Sequence, residues 1–218
     1  MVRARRRLAQ LYLGLTLFGV SMAFLVGAHL GVMPWDVLSQ GLARTLHRYG
    51  HEVTLGQLTI VIGALVLLAW IPLRQKPGLG TVSNVIVIGV VVDQALRALP
   101  APSSPPVRVA FVVAGIALNA LATALYIGAR LGPGPRDGLM TGICARTGWP
   151  VRWVRMSIEV AVVSLGWLLG GNFGPATIGY ALAIGPLAHP LLPRLCVPLP
   201  RGDEGPDGDG LVDPALAG

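Results

Sequence analysis

The sequence predicts an all-α integral membrane protein with six transmembrane helices, arranged as a three-plus-three inverted repeat. Three observations carry this prediction. The 218 residues are 53% hydrophobic and only 12% charged, with a mean hydropathy of +0.66, whereas soluble domains carry about 25% charged residues. Six apolar stretches have the length of a membrane span. One fifteen-residue motif occurs twice, once in each half of the chain.

The first predicted repeat covers residues 1–100. Its three spans lie at about 8–30, 54–73 and 81–99. The first span follows the basic segment Val2–Arg7 and resembles a secretory signal peptide, but it is too long and lacks a small-residue cleavage site. We therefore interpret it as an uncleaved span. The second span ends at Pro72 before a basic turn, and the third ends at Pro100.

The second predicted repeat follows a Pro/Ser linker at residues 101–106 and covers residues 107–193. Its spans lie at about 107–127, 153–170 and 176–192. Each predicted span has roughly 17–25 residues, as a helix needs in order to cross about 30 Å of hydrocarbon at 1.5 Å per residue. Residues 194–218 are acidic and rich in Gly and Pro, which predicts a disordered cytoplasmic tail.

The duplicated motif reads GAHLGVMPWDVLSQG at Gly27–Gly41 and GARLGPGPRDGLMTG at Gly128–Gly142, with eight of fifteen positions identical at a shift of 101. Each copy begins a short half-helix, predicted at Pro34–Leu46 and Pro135–Thr147. Pro stands at the first helical position and an Asp in the first turn, where the helix dipole favours an anion. Both helices are too short and too polar to span. An interfacial and a re-entrant position both remain open at this point.

The distribution of basic residues predicts the topology. With the N-terminus in the cytoplasm, six spans place thirteen Lys and Arg residues on the cytoplasmic side and four on the other. This orientation places both termini in the cytoplasm. We expect the protein itself to lie in the inner membrane of a bacterium. Because each half has an odd number of spans, the second half enters from the opposite side. Inverted repeats of this kind are typical of secondary transporters.

Five segments carry a resemblance to a known family. They are GVMPWDVLSQGL at Gly31–Leu42, PGLGT at Pro77–Thr81, LGPGPRDGLMTG at Leu131–Gly142, VRWVRMSIE at Val151–Glu159 and GGNFGPAT at Gly170–Thr177. The chain resembles the bacterial membrane proteins grouped as YczE/YyaS/YitT over about residues 8–193, and is closest to the YczE branch. Ala176 departs from the pattern, which has Gly there. The resemblance implies an integral membrane protein whose biochemical role is poorly defined.

Asp36 and Asp137, with Arg136 beside the latter, are the first candidate site residues. In the functional interpretation, the two carboxylates meet a substrate or a proton near a central cavity. In the structural interpretation, each Asp caps its own short helix and complements the helix dipole, which is worth about 0.3–1 kcal/mol.

Glu159 is the third candidate, about two turns into the fifth predicted span. A carboxylate at this depth costs about 2.5 kcal/mol or more. It is either a proton or cation relay that faces the interior of the bundle, or the partner of Arg155 or Arg152 in a structural ion pair.

Four polar residues occupy matching places on the third and sixth spans: Thr81, Asn84, Thr177 and Tyr180. They are predicted either to present hydroxyl and amide groups to a ligand at the repeat interface, or to form hydrogen bonds between helices.

Signals of other functions are absent from the sequence. It has no P-loop, no HExxH motif and no His/Cys spacing typical of a metal site, so we expect neither an enzyme nor a bound cofactor or metal. The net charge of +7 comes from Arg residues that flank the spans, and does not indicate nucleic acid. We expect a transporter or permease-like protein for a small solute, partnered by the lipid bilayer. The alternative is a non-transporting regulatory or scaffold protein of the membrane.

Overall fold

The structure is a computed structural model that describes residues 2–100 and 102–197. All secondary-structure elements in these ranges are helices, which confirms the predicted all-α fold for this part of the chain. The helices are α1 Val2–Ala28, α2 Pro34–Arg48, α3 Leu55–Leu73, α4 Leu79–Ala98, α5 Pro105–Gly128, α6 Pro135–Thr147, α7 Val151–Leu168, α8 Pro175–Ala188 and α9 Leu192–Leu195.

Four of the described helices, α1, α3, α4 and α5, are long and apolar enough to cross a membrane. These four correspond to predicted spans. The other two predicted spans fall on α7 and α8, which miss this standard for different reasons. Helix α7 has 18 residues but carries Arg152, Arg155 and Glu159, and α8 is apolar but has only 14 residues. The protein is an α-helical membrane protein.

The ends of several elements differ from prediction. Helix α1 begins six residues before the predicted span because the basic segment continues the helix, and α5 begins at Pro105, inside the predicted linker. The predicted tail at 194–218 begins with ordered residues, since α9 reaches Leu195 and Val197 donates its N–H to the Gly128 carbonyl. The rest of that tail, 198–218, and the linker residue 101 lie outside the described residues.

The half-helices α2 and α6 begin inside the bundle. After α1 the chain reverses at His29 and Gly31, whose φ angles are 56° and 117°, and after α5 it reverses at Arg130 and Gly132, with 52° and 121°. These left-handed conformations turn each segment back toward the middle of the bundle. Met33, the residue before α2, is buried beside Asn119 of α5.

Helices α1 and α5 pack closely through glycines that correspond in the two halves. A methyl group at Gly14 would lie 2.8 Å from the Tyr126 amide nitrogen, and one at Gly115 would lie 3.0 Å from Leu25 Cγ. The neighbours of Gly14 are Ala122, Leu125 and Tyr126, and those of Gly115 are Ser21, Phe24 and Leu25. The two sets differ by the same shift of 101 residues as the duplicated motif.

Each motif also contacts the start of a helix in the other half of the chain. The Gly80 N–H, at the start of α4, donates to the Leu131 carbonyl at 2.7 Å, and the Ala176 N–H, at the start of α8, donates to the Leu30 carbonyl at 3.0 Å. Because the backbone N–H makes this contact, Ala176 can stand where the pattern has Gly.

Candidate functional site

The first turns of α2 and α6 meet at the centre of the bundle. The Arg136 guanidinium lies 3.8 Å from an Asp36 carboxylate oxygen and 5.0 Å from the centroid of the Trp35 ring. Trp35 and Arg136 occupy the same position in the two motifs. The two copies of the motif therefore contact each other directly, and two of the predicted site residues form an ion pair between them.

Asp36 is the most unusual residue of this centre. Its side chain is fully buried, and neither carboxylate oxygen accepts a hydrogen bond from any described residue. Helix α2 is too short to span a membrane. Burial raises the pKa of the Asp36 carboxyl to about 6, because the effect of desolvation outweighs the attraction of Arg136.

Asp137 lies in a different environment, although it occupies the corresponding position. It is half-buried and accepts a hydrogen bond of 2.8 Å from the Tyr126 hydroxyl. Neither α2 nor α6 has a side-chain hydrogen bond at its N-cap. The predicted capping role of the two Asp residues is thus limited to their interaction with the helix dipoles.

Tyr180 and Asn84 lie at the same centre. The Tyr180 hydroxyl donates to the Asn119 side-chain carbonyl at 2.9 Å, and the Asn119 amide donates to the Ser21 hydroxyl at 2.8 Å. Tyr180 is also within electrostatic range of Asp36 and Arg136. The Asn84 amide lies beside Gly134, the residue before α6. A chain of polar groups from α1, α5 and α8 therefore borders the ion pair.

Thr81 and Thr177 support the site through the backbone. The Thr81 hydroxyl donates to the Pro133 carbonyl at 2.7 Å and accepts from the Gly78 N–H at 3.1 Å. The Thr177 hydroxyl accepts from the Gly174 N–H at 3.3 Å. Both side chains are buried against the loop of the other motif. Of the four polar candidates, these two bind backbone and hold the loops in place.

Glu159 forms the ion pair that its structural interpretation predicts. Its carboxylate oxygen lies 3.0 Å from Arg155 Nε, one helical turn away, with the two side chains 32% and 44% exposed. Surface pairs of this type contribute about 0–1 kcal/mol. Arg155 lies within electrostatic range of Asp137 and Tyr180, which places the pair at the edge of the centre.

Two cavities adjoin the half-helices. A groove of about 380 Å³ lies between α2, α3, α6 and α7, and all of its lining residues are apolar: Trp35, Leu38, Leu42, Ile62, Leu65, Val66, Ala69, Leu139, Leu165 and Leu169. A second cavity of about 240 Å³ lies near the end of α1. Its lining is partly polar and consists of Val26, His29, Gln40, Ala43, Arg44, Leu55 and Asn172.

Tyr126 and the ion-pair partner of Arg136 are site features that the sequence does not predict. A single Tyr near the end of a span is common at membrane interfaces, and the corresponding residue of the first half is Leu25, so no pattern singles it out. Arg136 stands beside Asp137 in the chain, which suggests an ion pair between them. Adjacent helical side chains, however, point about 100° apart. Its partner Asp36 comes from the other half, which only the tertiary fold brings near.

Comparisons with known proteins identify a family and relatives of the chain. The model of a "Family of unknown function (DUF6198)" matches residues 5–192. An "Uncharacterized protein" of Haemophilus influenzae is 39% identical over 175 residues, which are 80% of this chain and 78% of that protein. The "Uncharacterized membrane protein YczE" of Bacillus subtilis is 35% identical over 178 residues, 81% of this chain and 80% of its own length. No solved structure matches the chain.

Proposed function

The chain belongs to the family of unknown function DUF6198 and is a YczE-like membrane protein, as its motifs predict, and we propose that it is a transporter or permease-like protein for a small solute. The observation that carries the proposal is Asp36. It is fully buried, accepts no hydrogen bond from the described part of the chain, and stands where the starts of two half-helices meet. Ionisable residues inside a membrane mark proton and substrate pathways.

The proposal includes a three-plus-three inverted repeat with α7 and α8 as its fifth and sixth spans, and α2 and α6 as re-entrant half-helices. The contacts that recur at a shift of 101 residues support it. So does the stacking of Arg136 on Trp35, because a two-fold axis brings corresponding positions together. In transporters built this way, the ends of half-helices meet the substrate near the middle of the bilayer. The bias of basic residues supports cytoplasmic termini.

The two ends of the bundle differ, which fits a protein that opens to one side at a time. At the end where α1 begins, Arg7 Nε donates to the Ala129 carbonyl at 2.9 Å. Beside it, the Gln10 amide donates to the carbonyls of Leu125 and Leu195 at 3.0 and 2.6 Å. At the end where α1 finishes lies the partly polar cavity that includes His29. We infer that Asp36 couples proton movement to solute movement between these two ends.

Reconstitution tests the proposal. Proteoliposomes containing a pH-sensitive dye are exposed to panels of amino acids, sugars, organic acids and organic amines, and proton movement is recorded for each. We expect at least one class to move protons, with the signal lost in Asp36→Asn. The matched control is Glu52→Gln, which removes an exposed acid outside the site and should leave the signal unchanged.

The opposite result would favour the non-transporting regulatory or scaffold alternative. For this result to count, the protein must be folded in the liposomes, as verified by an unchanged thermal transition. It must then give no flux above that of empty vesicles with any class of solute. A flux that survives Asp36→Asn unchanged would leave transport intact but remove Asp36 from it.

A further inference from the structure

We propose, on the basis of the transport function above, that the substrate is an amphipathic organic amine. Its apolar body would lie in the groove between α2, α3, α6 and α7, and its ammonium group would bind Asp36 beside Trp35. Trp35 lines the groove and Asp36 follows it in the chain, and the groove, the aromatic ring and the carboxylate each match one part of such a molecule.

The groove matches an apolar body that enters from the bilayer. It has a volume of about 380 Å³, within the roughly 300–1,000 Å³ of pockets that bind small molecules. All ten lining residues are apolar. Two of them, Leu65 on α3 and Leu165 on α7, are 58% and 52% exposed, so the groove is open on the lateral surface of the bundle. A polar solute would gain nothing from such walls.

The groove also lies between the two halves of the chain. Leu38 and Leu139, which line it from α2 and α6, occupy the same position in the two motifs. A ligand here contacts both half-helices and one further helix from each half. Any movement of one half against the other would therefore change the shape of the groove.

Trp35 connects the groove to the charged centre. The ring lines the groove and carries the Arg136 guanidinium 5.0 Å from its centroid, while Arg136 lies 3.8 Å from Asp36. A cation already occupies the position between an aromatic face and a carboxylate. An ammonium group can take that position, because aromatic faces and carboxylates both attract cations.

The charges at the centre favour a cationic head over an anionic or neutral one. Three carboxylates, Asp36, Asp137 and Glu159, stand near two guanidiniums, Arg136 and Arg155, so the ionised centre has a net negative charge. None of residues 2–100 and 102–197 donates a hydrogen bond to the Asp36 oxygens, and an ammonium group brings up to three N–H donors. A carboxylate or phosphate head brings none and would be repelled by both Asp residues.

Binding of four probes to the protein in lipid nanodiscs tests this assignment, with empty nanodiscs subtracted. The probes are n-octylamine, n-octanol, octanoate and ethylamine, which separate the contribution of the head from that of the chain. We expect saturable binding of octylamine, at least about tenfold tighter than the other three. Asp36→Asn should abolish this preference over octanol.

Leu65→Trp tests the groove without touching the charged centre. The larger ring fills the mouth of the groove and should weaken octylamine binding by about tenfold. The matched control is Leu68→Trp on the same helix, since Leu68 is 59% exposed and does not line the groove. It should bind octylamine as the wild type does.

Three results overturn or limit the assignment. Octylamine that binds no better than octanol overturns the ammonium site. Equal binding by Leu65→Trp and Leu68→Trp overturns the groove. Proton-coupled flux of a solute other than an amine, still dependent on Asp36, overturns the substrate class and leaves the transport function standing. Selective octylamine binding without any flux would instead support the binding site and overturn the transport function.

Discussion

Arg136 stacks on Trp35, its counterpart in the other motif, with the guanidinium carbon 5.0 Å from the ring centroid. The pair makes the centre of the molecule asymmetric, because one half supplies the cation and the other supplies the ring and the buried Asp36. Among the described residues, Arg136 is the only ion-pair partner of Asp36.

Removing Arg136 should destabilise the protein through Asp36. Arg136→Ala leaves a buried carboxylate uncompensated, and we expect a loss of about 1–3 kcal/mol, below the usual cost of breaking a buried pair because Arg136 is 33% exposed. The double variant with Asp36→Asn should recover most of that loss. Thermal unfolding in detergent measures the cycle; additive effects would show that the two residues do not interact.

Asp36→Asn should change how stability depends on pH. The carboxyl has a pKa of about 6 in the folded protein and about 3.9 when unfolded. The folded state therefore binds the proton more tightly, so this group favours folding at low pH and costs up to about 3 kcal/mol above pH 6.

The measurable consequence is a difference between two melting curves. At pH 8 Asp36→Asn should melt above the wild type, and the gap should close as the pH falls from 6 to 4. A gap that is independent of pH would contradict the buried ionised carboxyl.

Tyr126→Phe should destabilise the start of α6. The substitution removes the hydrogen bond of 2.8 Å to Asp137 and leaves a half-buried carboxylate with one donor fewer, at a cost of about 1–3 kcal/mol. Tyr49→Phe serves as the control, because Tyr49 is 77% exposed. Equal melting temperatures for the two variants would show that the Tyr126 hydrogen bond contributes nothing.

Gly166→Ala should loosen the packing of α7 on α2. A methyl group at Gly166 would lie 2.4 Å from the Leu38 backbone nitrogen, which cannot move without the helix. We expect a loss of about 1–3 kcal/mol. Gly179→Ala adds the same methyl group where nothing lies within 4 Å, and it should have no such effect. Similar stability for both would mean that the two helices do not pack as described.

Reporter fusions at Gly50 and Gly148 test the topology. Both glycines lie in exposed turns that follow the half-helices, with φ angles of 83° and 72°. A methyl group added at either position would meet no atom of the described residues within 4 Å. In the inverted repeat the two turns face opposite sides of the membrane, with Gly148 in the cytoplasm. Fusions of alkaline phosphatase and a cytoplasmic fluorescent protein report the side. Finding both turns on the same side would exclude the inverted arrangement.

The short-range features of the fold follow from the sequence. Pro at the first helical position marks the starts of α2 and α6 at Pro34 and Pro135, and the structure has both. The apolar runs locate the four long apolar helices, α1, α3, α4 and α5, within a few residues, except where the basic segment extends α1. These features depend on residues that are close in the sequence, so the sequence pattern predicts them.

The partners of charged residues depend on tertiary packing and escape such reasoning. Asp93 has Arg97 one turn away, which predicts a pair within α4. In the structure its carboxylate instead accepts from the Thr54 hydroxyl at 2.5 Å and the Gly56 N–H at 2.8 Å. The start of α3 offers unpaired N–H groups and a positive dipole end, and these outcompete an exposed side chain. Arg136 and Asp36 illustrate the same limit across the two halves.

Two contacts between a motif and the opposite half are made by main-chain groups alone, through the N–H donors of Gly80 and Ala176 and the carbonyls of Leu131 and Leu30. A scaffold held by main-chain groups survives the replacement of side chains. After a gene duplication, such a protein can diversify the residues that face its centre while both copies keep their shape. Trp35 and Arg136, like Leu25 and Tyr126, occupy corresponding positions at which the two halves of this chain differ.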